Sequence, residues 1–265
     1  MRIFDNHVHV TPESLDFFAS AFMSRGGTGI NLVNLSENCN SLDDFTRVYH
    51  ETEVIAGKLR EKGLEVVVSI GPYPVNLIEM TAKMGRERAK DVFKKAVDMA
   101  IREIVDGRAN AIGEVGRPHF PTDEQIVEDS EEIMRYIFEG TKDNDIPVIL
   151  HTESIDAEGM CSIMKTAWEV GKESKVVKHF SPPIFEKNCG IVPSVPASRN
   201  NARAAPWGRE GFFLETDFAG DMGKPNFVLP PDSVPKRVQM LVQEGVDTEK
   251  IATSMEFYRK FYPLD

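Results

Sequence analysis

"IPVILHTE", residues 146–153, decides the reading of the fold. Its first five residues carry no charge and no alternation of polar and apolar side chains, the pattern of a strand buried on both faces of a parallel sheet. The run then ends on His151, a polar side chain at the edge of a segment that must be buried, where an unpartnered imidazole would be costly. "LEVVVSI", residues 64–70, repeats the unbroken apolar pattern.

Working outward, eight segments have this strand character: Arg2–Val10, Gly29–Ser36, Leu64–Gly71, Ala109–Gly116, Ile146–Glu153, Lys175–Ser181, Cys189–Ala197 and Gly211–Phe218. Amphipathic stretches separate them. Residues 41–63 read as a helix capped by Ser41 and stopped at Gly63, and residues 122–145 as one opened by Thr122. Pro74–Gly107 holds two helices broken near Gly85, and Asp232–Glu244 supplies one after the last strand. Eight evenly spaced strands alternating with helices predict α/β architecture, a single-domain (β/α)8 barrel over residues 1–265, close to the roughly 250 residues that fold needs. A doubly wound open sheet is the alternative. Two long loops, residues 198–211 and 219–236, would lie on the C-terminal rim where barrel active sites are built.

The net charge of −11 argues against a chain-wide basic surface for long nucleic acid, although divalent cations can supply positive charge locally. Cys39, Cys161 and Cys189 are odd in number and widely spaced, so reduced thiols are expected rather than a disulfide framework. The first residues enter a strand without a signal-like segment, and no apolar run approaches the ~18 residues of a membrane span; a soluble, cytoplasmic protein is expected, with no membrane partner.

His7 and His9 stand two apart on the first strand, so both project from one face and can chelate a single ion. The other strand ends repeat the theme: Glu114 late in the fourth, His151 after the fifth, His179 late in the sixth and Asp217 at the end of the eighth. If the barrel closes, these six meet over its C-terminal mouth, enough for two divalent ions. The simplest division places His7, His9 and Asp217 on one ion and His151 and His179 on the other, with Glu114 bridging. Such a pair holds a shared water as hydroxide and polarises the bond under attack.

The chain resembles the TatD-related branch of the amidohydrolase superfamily, metal-dependent (β/α)8 hydrolases that include deoxyribonucleases. "DNHVHV" (5–10) is similar to that family's opening HxH, "GEVG" (113–116) to its GEIG and "LETDF" (214–218) to its LETD, while His151 and His179 stand where its two isolated histidines are expected. Glu114 takes the place that a carboxylated lysine holds in other amidohydrolases. The chain departs from the family in continuing with Arg117-Pro118-His119 where Leu-Asp is usual, beside the expected metals.

These readings give Asp217 and Glu114 catalytic roles, Asp217 as ligand and general base. Glu215 shares its face and would orient ligands or form an interior ion pair. His119, Arg117 and Arg203 are candidates for gripping a phosphate or carboxylate. Trp207 reads as a loop anchor, His50 as a solvated helix residue, and Lys178 as facing the helix layer, away from the chemistry. The expected cofactors are two divalent ions (Zn, Mn, Ni, Co, Fe or Mg). The expected substrate is a phosphodiester, including short or single-stranded DNA, by resemblance; the alternative is an amide or lactone of a small metabolite. A non-catalytic metal site fits the open ligand set less well.

Overall fold

In the computed structural model, which describes residues 1–36, 38–220 and 229–264, each apolar run becomes a stave of a closed barrel. The strands are β1 (Phe4–His9), β2 (Gly29–Val33), β3 (Glu65–Ile70), β4 (Ala111–Gly116), β5 (Val148–His151), β6 (Val176–Lys178), β7 (Val192–Pro196), β8 (Phe213–Glu215) and β9 (Phe218–Ala219). Every strand from β1 to β7 pairs in parallel with the next, and β9 pairs with β1. β8 and β9 are two halves of the single eighth strand expected from the sequence, interrupted at Thr216 and Asp217. The Asp217 N–H donates to His7 O at 3.0 Å and carries the closure across the break.

The helices between staves are α1 (Leu15–Ser24), α2 (Leu42–Glu61), α3 (Asn76–Met84), α4 (Arg86–Val105), α5 (Glu124–Thr141), α6 (Ala157–Glu169), α7 (Arg199–Ala204), α8 (Ser233–Gln243), α9 (Thr248–Met255) and α10 (Tyr258–Phe261). Ser41 caps α2 by accepting from Asp44 N–H, and the break between α3 and α4 falls at Gly85, whose φ of 85° suits glycine. α5 starts one residue later than expected: Asp123, not Thr122, is its cap, and its carboxylate accepts from Gln125 N–H. Residues 221–228 of the second long loop lie outside the described residues.

Outward strand residues such as Val8, Ile30, Leu32, Val66 and Val68 pack against Phe18, Phe22, Phe45 and Leu59 from the helices. Inside the barrel, Phe4, Val67, Ala111, Ile149, Val177 and Phe213 form a floor sealed by Tyr258, Phe261 and Tyr262 at the end of the chain, with Phe4 stacked on Tyr258 at 3.9 Å. A buried polar layer lies above that floor. Tyr262 OH donates to Asn6 Oδ1 (2.8 Å), Asn6 Nδ2 to Ser194 Oγ (3.0 Å) and Ser69 Oγ to Asn31 Oδ1 (2.7 Å).

The cysteines differ from expectation: Cys161 and Cys189 form a disulfide across 28 positions, and only Cys39 is free and buried. α6 brings Cys161 to the loop after β6, a meeting that spacing along the chain does not announce. The bond removes one of the two grounds for expecting a reducing compartment. No helix among the described residues is long and apolar enough to cross a membrane.

Candidate metal centre

Two irregularities aim the chemistry inward. On β1 the register passes from Asp5↔Ile30 to Val8↔Leu32, three steps against two, a bulge that shifts the inward phase from Phe4 and Asn6 to His7 and His9. On β4 it passes from Ile112↔Val148 to Val115↔Leu150. Strict alternation would put Glu114 on the helix-facing side with Ile112; the shift delivers it to the interior. The glycines around Glu114 are there for room: a Cβ on Gly113 would meet Ile149 Cβ at 2.5 Å, and one on Gly116 (φ 130°) would meet His151 O at 2.4 Å.

All six residues then converge at the C-terminal mouth. His7 Nε2 is 2.7 Å from Glu114 Oε1 and 3.2 Å from His9 Nε2. Glu114 Oε1 is 3.4 Å from His9 Nε2 and 3.5 Å from His179 Nε2, while its other oxygen is 3.1 Å from His151 Nδ1. Asp217 Oδ1 lies 3.7 to 4.0 Å from the Nε2 atoms of His7, His9 and His179. His7, Glu114, His179 and Asp217 each offer an atom within 4.8 Å of the others and could hold one ion.

Several of these imidazoles are held by a partner behind them. His9 Nδ1–H donates to Val33 O (3.0 Å), which turns Nε2 toward the centre. His179 Nδ1 lies 3.0 Å from Glu215 Oε1, close enough to pair with it although not aligned for a hydrogen bond, and Glu215 in turn accepts from Phe180 N–H (2.7 Å) and from Ser194 Oγ. Asp5, absent from the sequence reading, clips the β1 bulge to the break in the eighth strand by accepting from His7 N–H (3.2 Å), Thr216 N–H (3.0 Å) and Thr216 Oγ1 (2.7 Å). An acid placed inside a strand was its one available signal.

Burial without counter-charge dominates the protonation states. Burial, aided by neighbouring His179, takes His7 down to about 3, and it likewise holds His179 well below the usual range, so both are neutral imidazoles ready to donate lone pairs. For His9 burial is outweighed by Glu114 and Asp217, which raise it to about 9. Glu114 is held well below the carboxylate range against its burial by His151, His179 and His7. Asp217 is pushed well above that range by burial and by Glu114, Glu215 and Asp5 nearby. With His151 Nδ1 buried, turned to the centre and lacking a hydrogen-bond partner, this mixed nitrogen and oxygen donor set fits a divalent cation, which would supply the charge the carboxylates lack.

The centre opens into a cavity of about 1330 Å³, whose wall includes His119, Tyr73, Leu35, Phe180, Pro182 and Pro183 beside hydroxyl and amide groups of Thr11, Ser36, Thr152, Ser181, Asn34 and Asn201. Of the three substrate-contact candidates, His119 lines it. Arg117 does not: its guanidinium is taken by Glu131 and by Glu153 (2.6 Å). Arg203 on α7 is exposed and paired with Glu244. Trp207 anchors its loop through Nε1–H to Ala202 O (2.7 Å), and His50 is exposed near Glu53. Lys178 is buried and donates to the carbonyls of Thr152 and His179.

A closed (β/α)8 barrel with imidazoles and carboxylates gathered at its C-terminal mouth places the protein among the metal-dependent hydrolases of that fold. Comparison narrows the class: the chain belongs to the family described as TatD related DNase, whose model matches residues 4–260. It is similar to uncharacterized protein MJ1127 of Methanocaldococcus jannaschii, 29% identical over 258 residues, covering 94% of this chain and 91% of the relative. Its fold is similar to that of YjjV, a TatD homologue from Escherichia coli (TM-score 0.66, 17% identity, 99% and 98% of the two chains). It is also similar to that of the phosphotriesterase homology protein of Escherichia coli (TM-score 0.59, 13% identity, 97% and 98%).

Proposed function

We propose that the protein is a phosphodiesterase acting on short or single-stranded nucleic acid at a two-metal centre, with residues 1–265 forming one catalytic domain. The observation that carries this reading is the split engagement of Glu114: Oε1 faces His7, His9 and His179, while Oε2 faces His151, so that one carboxylate could be shared between two ions. His7, His9 and Asp217 would hold one ion and His151 the other, with His179, whose Nε2 lies on the Oε1 side, within reach of the first. Zn, Mn, Ni, Co and Fe suit these donors, and Mg suits them less. Bound there, divalent ions would polarise the phosphorus–oxygen bond under attack and acidify a water.

The chain's own contribution is positioning and proton transfer. Asp217 accepts the proton of the attacking water and returns it to the leaving oxygen; its place beside three imidazole nitrogens lets one group reach both. Val33 O and Glu215 fix the rings of His9 and His179, so no rotation is needed during the reaction. Two divalent charges against the two carboxylates Glu114 and Asp217 leave the centre cationic, which favours an anionic phosphate at the reacting position.

A second reading rests on the cavity wall. Among the described residues it presents no Lys or Arg, and Leu35, Tyr73, Phe180, Pro182 and Pro183 make much of it apolar, features that suit a neutral ester, lactone or amide. Hydrolysis of bis(4-nitrophenyl) phosphate, with and without chelator and after adding Mn or Zn, separates the two. Chelator-sensitive turnover that disappears in Asp217→Asn supports the phosphodiesterase. Turnover of lactones or amides with none of the diester supports the second reading.

A further inference from the structure

His151 differs from its neighbours in the way it faces the centre. His9 and His179 turn Nε2 inward and rest Nδ1 on a partner, Val33 O or Glu215. His151 turns Nδ1 toward Glu114 Oε2, at 3.1 Å, and points Nε2 the other way. A neutral imidazole that offers Nδ1 as a lone pair carries its proton on Nε2, and that proton needs an acceptor. Among the described residues, the ring nitrogen that meets it is His119 Nδ1, 2.8 Å away. Tyr73 meets the same ring edge-on, at 5.0 Å between centroids.

We infer that His119 is the positioning residue of His151: its Nδ1 accepts the Nε2–H of His151, locking the tautomer and ring orientation that present Nδ1 to the ion on the Glu114 Oε2 side. The inference rests on reading His151 as a ligand. It also gives the unusual Arg117-Pro118-His119 segment a division of labour. Arg117 is clamped from below by Glu131 and Glu153, which anchors the loop after β4, and buried Pro118 leads the chain over so that the next residue reaches the mouth. His119 itself is exposed, so replacing it removes a hydrogen bond and little packing. Because the acceptor comes from a loop and not from a strand, the ion held by His151 depends on that loop in a way the ion at His7 and His9 does not.

The test is calorimetric titration of the full-length metal-free protein with Co²⁺, together with the visible absorption of the cobalt-loaded forms. Four proteins are compared: the parent, His151→Ala, His119→Ala and His119→Asn, whose Oδ1 stands where Nδ1 stood. The expected result is loss of the second ion in His151→Ala, weakening of the second ion alone by about 10- to 100-fold in His119→Ala, and recovery to within about threefold in His119→Asn. Second-ion affinity and spectrum unchanged in both His119 variants, with His151→Ala still losing the ion, overturn the inference and leave the ligand reading intact. Equal weakening in His119→Ala and His119→Asn also overturns it, because the acceptor would then be irrelevant. Two ions bound unchanged by His151→Ala overturn the ligand reading and the inference together.

Discussion

Phe213 and Glu215 are two residues apart on β8 and face the same interior, yet they belong to opposite ends of the barrel. Phe213 joins the floor, 5.1 Å from Phe257 and 5.4 Å from Phe261 between ring centroids. Glu215 stands under the metal centre, fully buried, and burial raises its carboxyl to about 7. At the floor, buried groups are apolar or fully hydrogen-bonded. At the mouth, carboxylates and imidazoles crowd without enough counter-charge, and an ion is what the arrangement lacks. One end was shaped for stability and the other gives stability up for chemistry.

Substitutions should separate the two ends. The largest expected effect is at the mouth: Asp217→Asn should lower kcat/KM by about a thousandfold, about 4 kcal/mol of transition-state stabilisation, while the metal-free protein unfolds at the same or higher denaturant concentration. A matching loss of stability would break the comparison. At the floor, Phe213→Ala should cost about 3–5 kcal/mol in urea unfolding and leave turnover per folded molecule intact.

Chelation sharpens the same contrast with a smaller effect. Adding the preferred ion back at a hundred times its dissociation constant should raise stability by about 2.7 kcal/mol in the parent, and by clearly less in His7→Ala, read as the shift in thermal midpoint. The smallest effect belongs to a charge near the floor. Lys172 is buried, donates to Ile146 O at 2.7 Å, and burial lowers it to about 8 from 10.5. Between those pH values the unfolded chain holds a proton the folded one has shed, so stability rises with pH through that window. Lys172→Met should remove that rise, a difference on the order of 1 kcal/mol in unfolding measured at pH 8 and at pH 10.5.

The eight staves were legible because each is a short apolar run bounded by helical periodicity, and the break at Gly85 was legible from the glycine itself. The strand ends also pointed to the six residues that the fold brings together. What the sequence hid was non-local. Alternation alone puts Glu114 on the wrong face, and only the register shift against β5 turns it inward. Arg117 and Arg203 looked free because their partners, Glu131 and Glu153 for the first and Glu244 for the second, lie 14, 36 and 41 positions away. Asn6, Asn31, Ser69 and Ser194 read as unremarkable polar residues in strands, and the aromatic plug of α10 carries no periodicity long enough to be seen.

The plug bears on how the molecule is made. Val8 pairs with Phe218, Thr216 bonds to Asp5 across 211 positions, and Tyr262 bonds to Asn6 across 256. During synthesis the first stave emerges long before the residues that complete and seal it. Until the eighth stave arrives the nascent barrel is a sheet with two open edges, and until Tyr258, Phe261 and Tyr262 arrive its apolar underside is uncovered. Closure therefore waits on residues 211 positions beyond Asp5, and that separation makes the meeting of β1 with the eighth stave the expected slow, aggregation-exposed step of folding.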